Sequence, residues 1–144
     1  MSFRRSALAV LVSVAVPVMA LAQSAEDAPR QLSLELNGVQ DVGGACRLTF
    51  LAQNRTGTAI DKAVFETVIF DTSGGVMRLS LFDFRELPVD RPRVRQFDLP
   101  EIPCDTIGNA LINGANSCVI DGAESRVCDT ELSLGSRIAV ELLG

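Results

Sequence analysis

Apolar residues in this chain recur at every second position in short runs, each closed by glycine, asparagine, aspartate or proline, and no window keeps a helical period for the length a helix needs. A chain of this pattern has to bury its side chains between sheets. In Leu32-Ser33-Leu34-Glu35-Leu36 the leucines share one face of a strand, and Asn37-Gly38 is the expected turn at its end. Gly43-Gly44 precede a second strand, Cys46 to Ala52, with Leu48, Phe50 and Ala52 facing one way. Ala63 to Phe70 carries apolar residues on both faces, which assigns it to the middle of a sheet. Asp71-Thr72-Ser73-Gly74-Gly75 is hairpin chemistry, and Val76 to Phe84 resumes as a fourth strand with Met77, Leu79 and Leu81 on one side.

Pro88, Pro92, Pro100 and Pro103 bracket Arg93 to Leu99, a short edge strand, because proline cannot donate to a central ladder. Ile107 to Ile112 reads as a sixth strand ended by Asn113-Gly114-Ala115-Asn116. Val119 to Cys128, with Asp121-Gly122, reads as a loop or small hairpin. Ser136 to Leu143 closes the chain, with Ile138, Val140 and Leu142 as its inward row. The expected fold is all-β: an immunoglobulin-like antiparallel β-sandwich of about seven strands, with a small closed barrel as the competing architecture.

One stretch adds a resemblance. From Cys46 to Met77 an apolar strand ends in Asn54-Arg55-Thr56-Gly57, Val64-Phe65-Glu66-Thr67-Val68-Ile69-Phe70-Asp71 follows, and Gly74-Gly75-Val76 turns the chain back. This segment resembles the immunoglobulin-like FxLyD-type extracytoplasmic domains and related bacterial secreted β-sandwich proteins. The resemblance implies an exported sandwich, and it brings no shared enzymatic activity to carry over to residues here.

The first 22 residues give the expected address. Arg4 and Arg5 form a basic start, Ala7 to Ala20 is almost unbrokenly apolar, and Ala20-Leu21-Ala22 offers the small-x-small pattern read by signal peptidase. Ser13 and Pro17 interrupt the run, which argues against a spanning helix of roughly 20 apolar residues. The adjacent arginines leave both the general secretory and the twin-arginine route open. No cysteine stands at the cleavage point to anchor a lipoprotein. The expected organisation is a signal peptide over 1–22, a flexible start over 23–31 and one sandwich domain over 32–144, without a transmembrane anchor after cleavage. The expected location is periplasmic or secreted, in a bacterium.

All four cysteines follow the leader, so they would meet an oxidising compartment and form disulfides. Strand order chooses among the three pairings. Cys46 opens the second strand and Cys104 precedes the sixth; strands of equal parity put both at one end of an up-and-down sandwich. Cys118 follows the sixth strand and Cys128 precedes the last, at the other end. Cys46 is therefore paired with Cys104, and Cys118 with Cys128. The chain has no Cys-x-x-Cys and no histidine, so a mixed zinc set or a redox dithiol lacks its ligands and spacing.

Absent residue types narrow function further. Without histidine, Ser-His-Asp and Cys-His catalytic arrangements cannot be assembled. Without tryptophan or tyrosine, aromatic cages and stacking platforms have only phenylalanine to draw on. A net charge of −5 at pH 7 argues against nucleic acid as a partner. The carboxylate pairs Asp83 with Glu86 and Asp121 with Glu124 read as solvated loop charges, not a glycosidase dyad. Asn109, Asn113, Asn116 and Asp121 offer oxygens for calcium, but asparagine is equally the ordinary residue of turns. No cofactor and no metal are expected.

One surface remains as the candidate site. Phe82, Phe84 and Phe97 lie among Arg85, Arg91, Arg93 and Arg95. If Leu79 and Leu81 face the core, Phe82 and Phe84 turn outward and form an exposed patch; otherwise both faces are covered. The expected function is that of an exported, non-catalytic accessory module. It would bind another envelope protein through the Arg78 to Phe97 region, by side-chain contact or by adding a strand to the edge. The alternative is a small-ligand receptor or enzyme with a pocket between the sheets.

Overall fold

The computed structural model describes residues 29–144; the expected signal peptide and all but residues 29–31 of the expected flexible start lie outside the described residues. Nine strands form, not about seven: β1 (Leu32–Val42), β2 (Ala45–Asn54), β3 (Ile60–Asp71), β4 (Val76–Leu87), β5 (Arg93–Pro100), β6 (Ile107–Ile120), β7 (Ala123–Glu124), β8 (Leu132–Ser136) and β9 (Glu141–Leu143), with a single-turn helix α1 (Val127–Thr130) before β8. One sheet runs β5-β2-β1-β8. The other runs β4-β3-β6-β7, with β9 also paired to β6. Between them lies one core, a two-layered all-β sandwich.

Several strands outrun their expected ends, and backbone irregularities explain how. Asn37-Gly38 does not turn the chain: β1 bulges between Leu36 and Gly38 and continues to Val42. The extra residue shifts the inward row from Leu32, Leu34 and Leu36 to Val39, which faces Leu48 of β2. The real turn is Gly43-Gly44, with both φ angles positive (53° and 84°), the two-residue hairpin geometry that glycine adopts without strain. In the same way β6 does not stop at Ile112. It passes through Asn113 to Asn116 with shifted register and reaches Ile120 before the short β7 hairpin.

The carboxyl-terminal strand expected from Ser136 to Leu143 shrinks to Glu141–Leu143, and a strand not expected, Leu132–Ser136, precedes it. Leu132–Ser136 pairs with β1 and Glu141–Leu143 pairs with β6, both in parallel, so the sandwich is not purely antiparallel. The Ser136 hydroxyl holds the crossing, lying 2.6 Å from the Val140 carbonyl and 3.2 Å from that of Ile138. Of the expected inward row, Leu142 is buried, while Ile138 and Val140 pack half-buried against the core. Gly108 marks another close approach: a Cβ there would meet the Asp71 carbonyl oxygen, so only glycine fits beneath the β3–β4 turn.

Both disulfides pair as expected, Cys46 with Cys104 and Cys118 with Cys128. Two such bridges fit an extracellular or periplasmic protein. Among the described residues no helix is long and apolar enough to cross a membrane.

The turn between β3 and β4 is held by Asp71, whose Oδ1 accepts the Ser73 hydroxyl and the amides of Ser73 and Gly75. The Ser73 hydroxyl, and then the two amides, hold this carboxyl below the usual carboxylate range. A depressed folded value contributes stability above the unfolded value and loses it as pH falls through the folded one. Asp71→Ala is therefore expected to lower the melting temperature at pH 7, and the gap to wild type should close as pH drops below about 4. A gap that stays constant down to pH 2 would contradict this role.

Candidate docking surface

Parity along β4 decides which side chains meet solvent. Phe82 of β4 pairs with Phe65 of β3, which faces the core, so Phe82 and Phe84 point inward and are 2% and 0% exposed. The phenyl rings win this alternation because they bury more area than leucines and find other rings to pack on. Phe50 meets the Phe82, Phe84 and Phe97 rings edge-on or nearly so, at 5.9, 5.4 and 5.8 Å, and Phe82 stacks on Phe97 at 4.2 Å. The expected aromatic patch is thus the middle of the core. A bulge at Arg85 (φ 59°) keeps the inward row going, so that Leu87 is buried beside Phe84.

The arginines separate by role. Arg95 pairs across from Phe50 and points inward from the edge strand β5, as Phe97 and Leu99 do. It is buried, and its guanidinium donates to the Phe84 carbonyl at 2.7 Å and the Glu86 carbonyl at 3.1 Å. Arg95 therefore closes the open side of the sandwich and is not offered to a partner. Arg78 makes the reciprocal link from β4 to the Pro100 carbonyl at the end of β5. Arg93 is half-buried and reaches the Pro92 carbonyl; Arg85 and Arg91 are exposed. The expected edge position of β5 holds, whereas the expected cluster of outward arginines and phenylalanines does not form.

Leu79 and Leu81, assigned to the core if the phenylalanines faced out, are instead 59% and 56% exposed. Register places Leu79 beside Val68 of β3, Val68 beside Leu111 of β6, and Leu111 beside Leu143 of β9. One apolar row thus crosses four strands on the outer face of the second sheet. Val76, 66% exposed, sits beside half-buried Phe70 on the same face. Val64 and Val68 are almost covered because these neighbours shield them.

The outer face of the first sheet is mainly polar, although Val94 is exposed there beside Leu51. There Arg47 and Asp98 form a two-bonded ion pair at 2.7 and 2.9 Å, Gln96 donates to Thr49, and Arg137 lies 3.8 Å from Glu35. Hydrogen bonding to Arg47 holds the Asp98 carboxyl below its usual range. One sandwich thus carries a mainly polar face, with Val94 its one large exposed apolar side chain among the described residues, and a face where an apolar row crosses four strands.

The remaining candidates have local duties. Asp83 accepts the Arg85 amide and Glu86 lies 3.6 Å from Arg95, so this carboxylate pair flanks the β4 bulge and not a substrate cleft. Glu124 accepts from Ser117 and Cys118, and the Asp121 amide donates to Asp61. Asn113 donates to Glu66, while Asn116 stands exposed. The structure does not gather Asn109, Asn113, Asn116 and Asp121 on one oxygen-lined site, and among the described residues no group of three or more acidic or cysteine side chains is placed to hold a metal. An open surface depression of about 470 Å³ is lined by Arg47, Arg85, Val94, Gln96 and Asp98. Set against known proteins, the chain matches no family model, no curated sequence and no solved structure.

Proposed function

We propose that this chain is an exported, non-catalytic accessory module that docks another protein of the periplasm or cell exterior through the outer face of the second sheet. The observation that carries this reading is the row Leu79, Val68, Leu111 and Leu143, continued by Val76 and Leu81, on a face with no covering layer among the described residues. Monomeric proteins seldom leave so many adjacent apolar side chains in water without a binding role. The leader-like residues 1–22 and the two disulfides support export, and the five-phenylalanine core supports a filled interior over a ligand pocket between the sheets.

Site-specific photo-crosslinking in the native host tests the reading. A photoreactive residue at Leu81 is expected to yield a discrete protein adduct, and one at Thr49, on the polar face, none. The adduct should vanish when Leu79→Ser is added. Equal labelling from both faces, or none from Leu81, would overturn the assignment. Because Leu79 is largely exposed, Leu79→Ser should change folding stability by no more than about 0.5 kcal/mol.

A further inference from the structure

Charge around the apolar row goes further than its exposure. Glu66 stands within the face, between Leu81 of β4 and Gly114 of β6. Asp83 continues the outward row of β4 beyond Leu81, and Glu141 of β9 lies beside Asn109, one step from Leu143 along the strand. Against these three carboxylates the outward positions of β3 supply one cation, Lys62, at the far end of the strand. Arg78 is turned inward to Pro100, and Arg85 lines the depression on the other face with Arg47 and Asp98. The apolar row is thus bordered by negative charge.

Resting on the docking reading above, we propose that the partner is a basic protein segment that lays apolar side chains on Leu79, Val68 and Leu111 and sets lysine or arginine against Glu66, Asp83 and Glu141. A second copy of this chain fits less well: face-to-face pairing would bring carboxylate-bordered patches together in a drying interface, where like charges repel. An anionic lipid surface is disfavoured for the same reason. A cationic partner gains from both features, since apolar burial supplies affinity and charge complementarity supplies encounter rate and selection.

Two synthetic peptides of equal length, one alternating leucine with lysine and one alternating leucine with glutamate, serve as probes against the full disulfide-bonded protein. The lysine peptide is expected to bind about tenfold or more tightly than the glutamate peptide, the scale that two or three surface ion pairs supply. That preference should shrink in 0.5 M salt, as screening requires (a Debye length of roughly 4–5 Å), and in Glu66→Gln with Asp83→Asn. Leu79→Ser with Leu81→Ser should abolish binding while leaving the melting curve intact. If both peptides bind equally and the serine variant loses both, the docking face stands and the basic partner falls. If the serine variant binds the lysine peptide as wild type does, the docking face falls as well. A concentration-dependent dimer in sedimentation, dissolved by the serine substitutions, would overturn the proposal in favour of a second copy.

Discussion

Replacing Cys46 and Cys104 together by alanine is expected to cost about 4 kcal/mol of folding stability, the loop-entropy value for a bridge across 58 residues. The bridge joins β2 in one sheet to the link that carries the chain from β5 into β6 of the other, so it spans the contacts that are slowest to find in an unfolded chain. It also fixes the turn at Cys104, whose amide donates to the Asp41 carboxylate at 2.9 Å. Cys118 and Cys128 close only 10 residues, within one end of the second sheet, and their double replacement should cost under about 3 kcal/mol. Denaturant midpoints of the two double variants should therefore fall in that order, and reduction of the wild type should lower stability by more than either. A larger loss from the short bridge would show that native-state strain or residual structure, not loop closure, controls both.

The Cys46–Cys104 pairing was legible because β2 and β6 keep equal parity whatever the errors in their ends; Cys118–Cys128 forms although Cys118 lies within β6 and the extra strand β7 intervenes, because only 10 residues separate the two. Which face of β4 meets the core was not legible, because alternation is symmetric: Leu79 and Leu81 on one side and Phe82 and Phe84 on the other are both acceptable inward rows. The rings' partners decide it, and Phe50, Phe65 and Phe97 come from three other strands. A signal for the outer face was nevertheless present. Ala63 to Phe70 is apolar on both sides, which fits a sheet covered twice, and nothing later in the sequence offers a helix to cover its second side. The bulges were hidden for different reasons: Asn37-Gly38 reads equally well as a turn, and Arg85 carries no glycine to mark the kink. β8 escaped because Leu132-Ser133-Leu134 alternates too briefly before Gly135 to mark a strand, and alternation says nothing about whether β8 and β9 pair in parallel.

Arg95→Met is expected to destabilise the fold by about 2–4 kcal/mol, although methionine keeps most of the buried aliphatic volume. The reason lies in the bulge that turns β4 at Arg85. It leaves the carbonyls of Phe84 and Glu86 directed at the gap between β4 and β5, and the Arg95 guanidinium supplies a donor to each. Burial, reinforced by the nearby Arg85 charge, pushes the guanidinium below its usual value, yet arginine stays protonated and remains a donor at every working pH. Loss of the side chain strands two carbonyls at about 1–3 kcal/mol each, offset in part because a costly buried charge also disappears. Arg95→Lys should not restore the loss, since a single ammonium lacks the planar fork that reaches both oxygens. Arg93→Met, on the same strand but tied only to its neighbour Pro92, should stay within about 0.5 kcal/mol of wild type. Urea unfolding of the three variants, with amide exchange read along β4, separates these outcomes. Equal stability of Arg93→Met and Arg95→Met would mean that the two sheets close at this edge without the guanidinium, and that Arg95 is free to serve a partner after all.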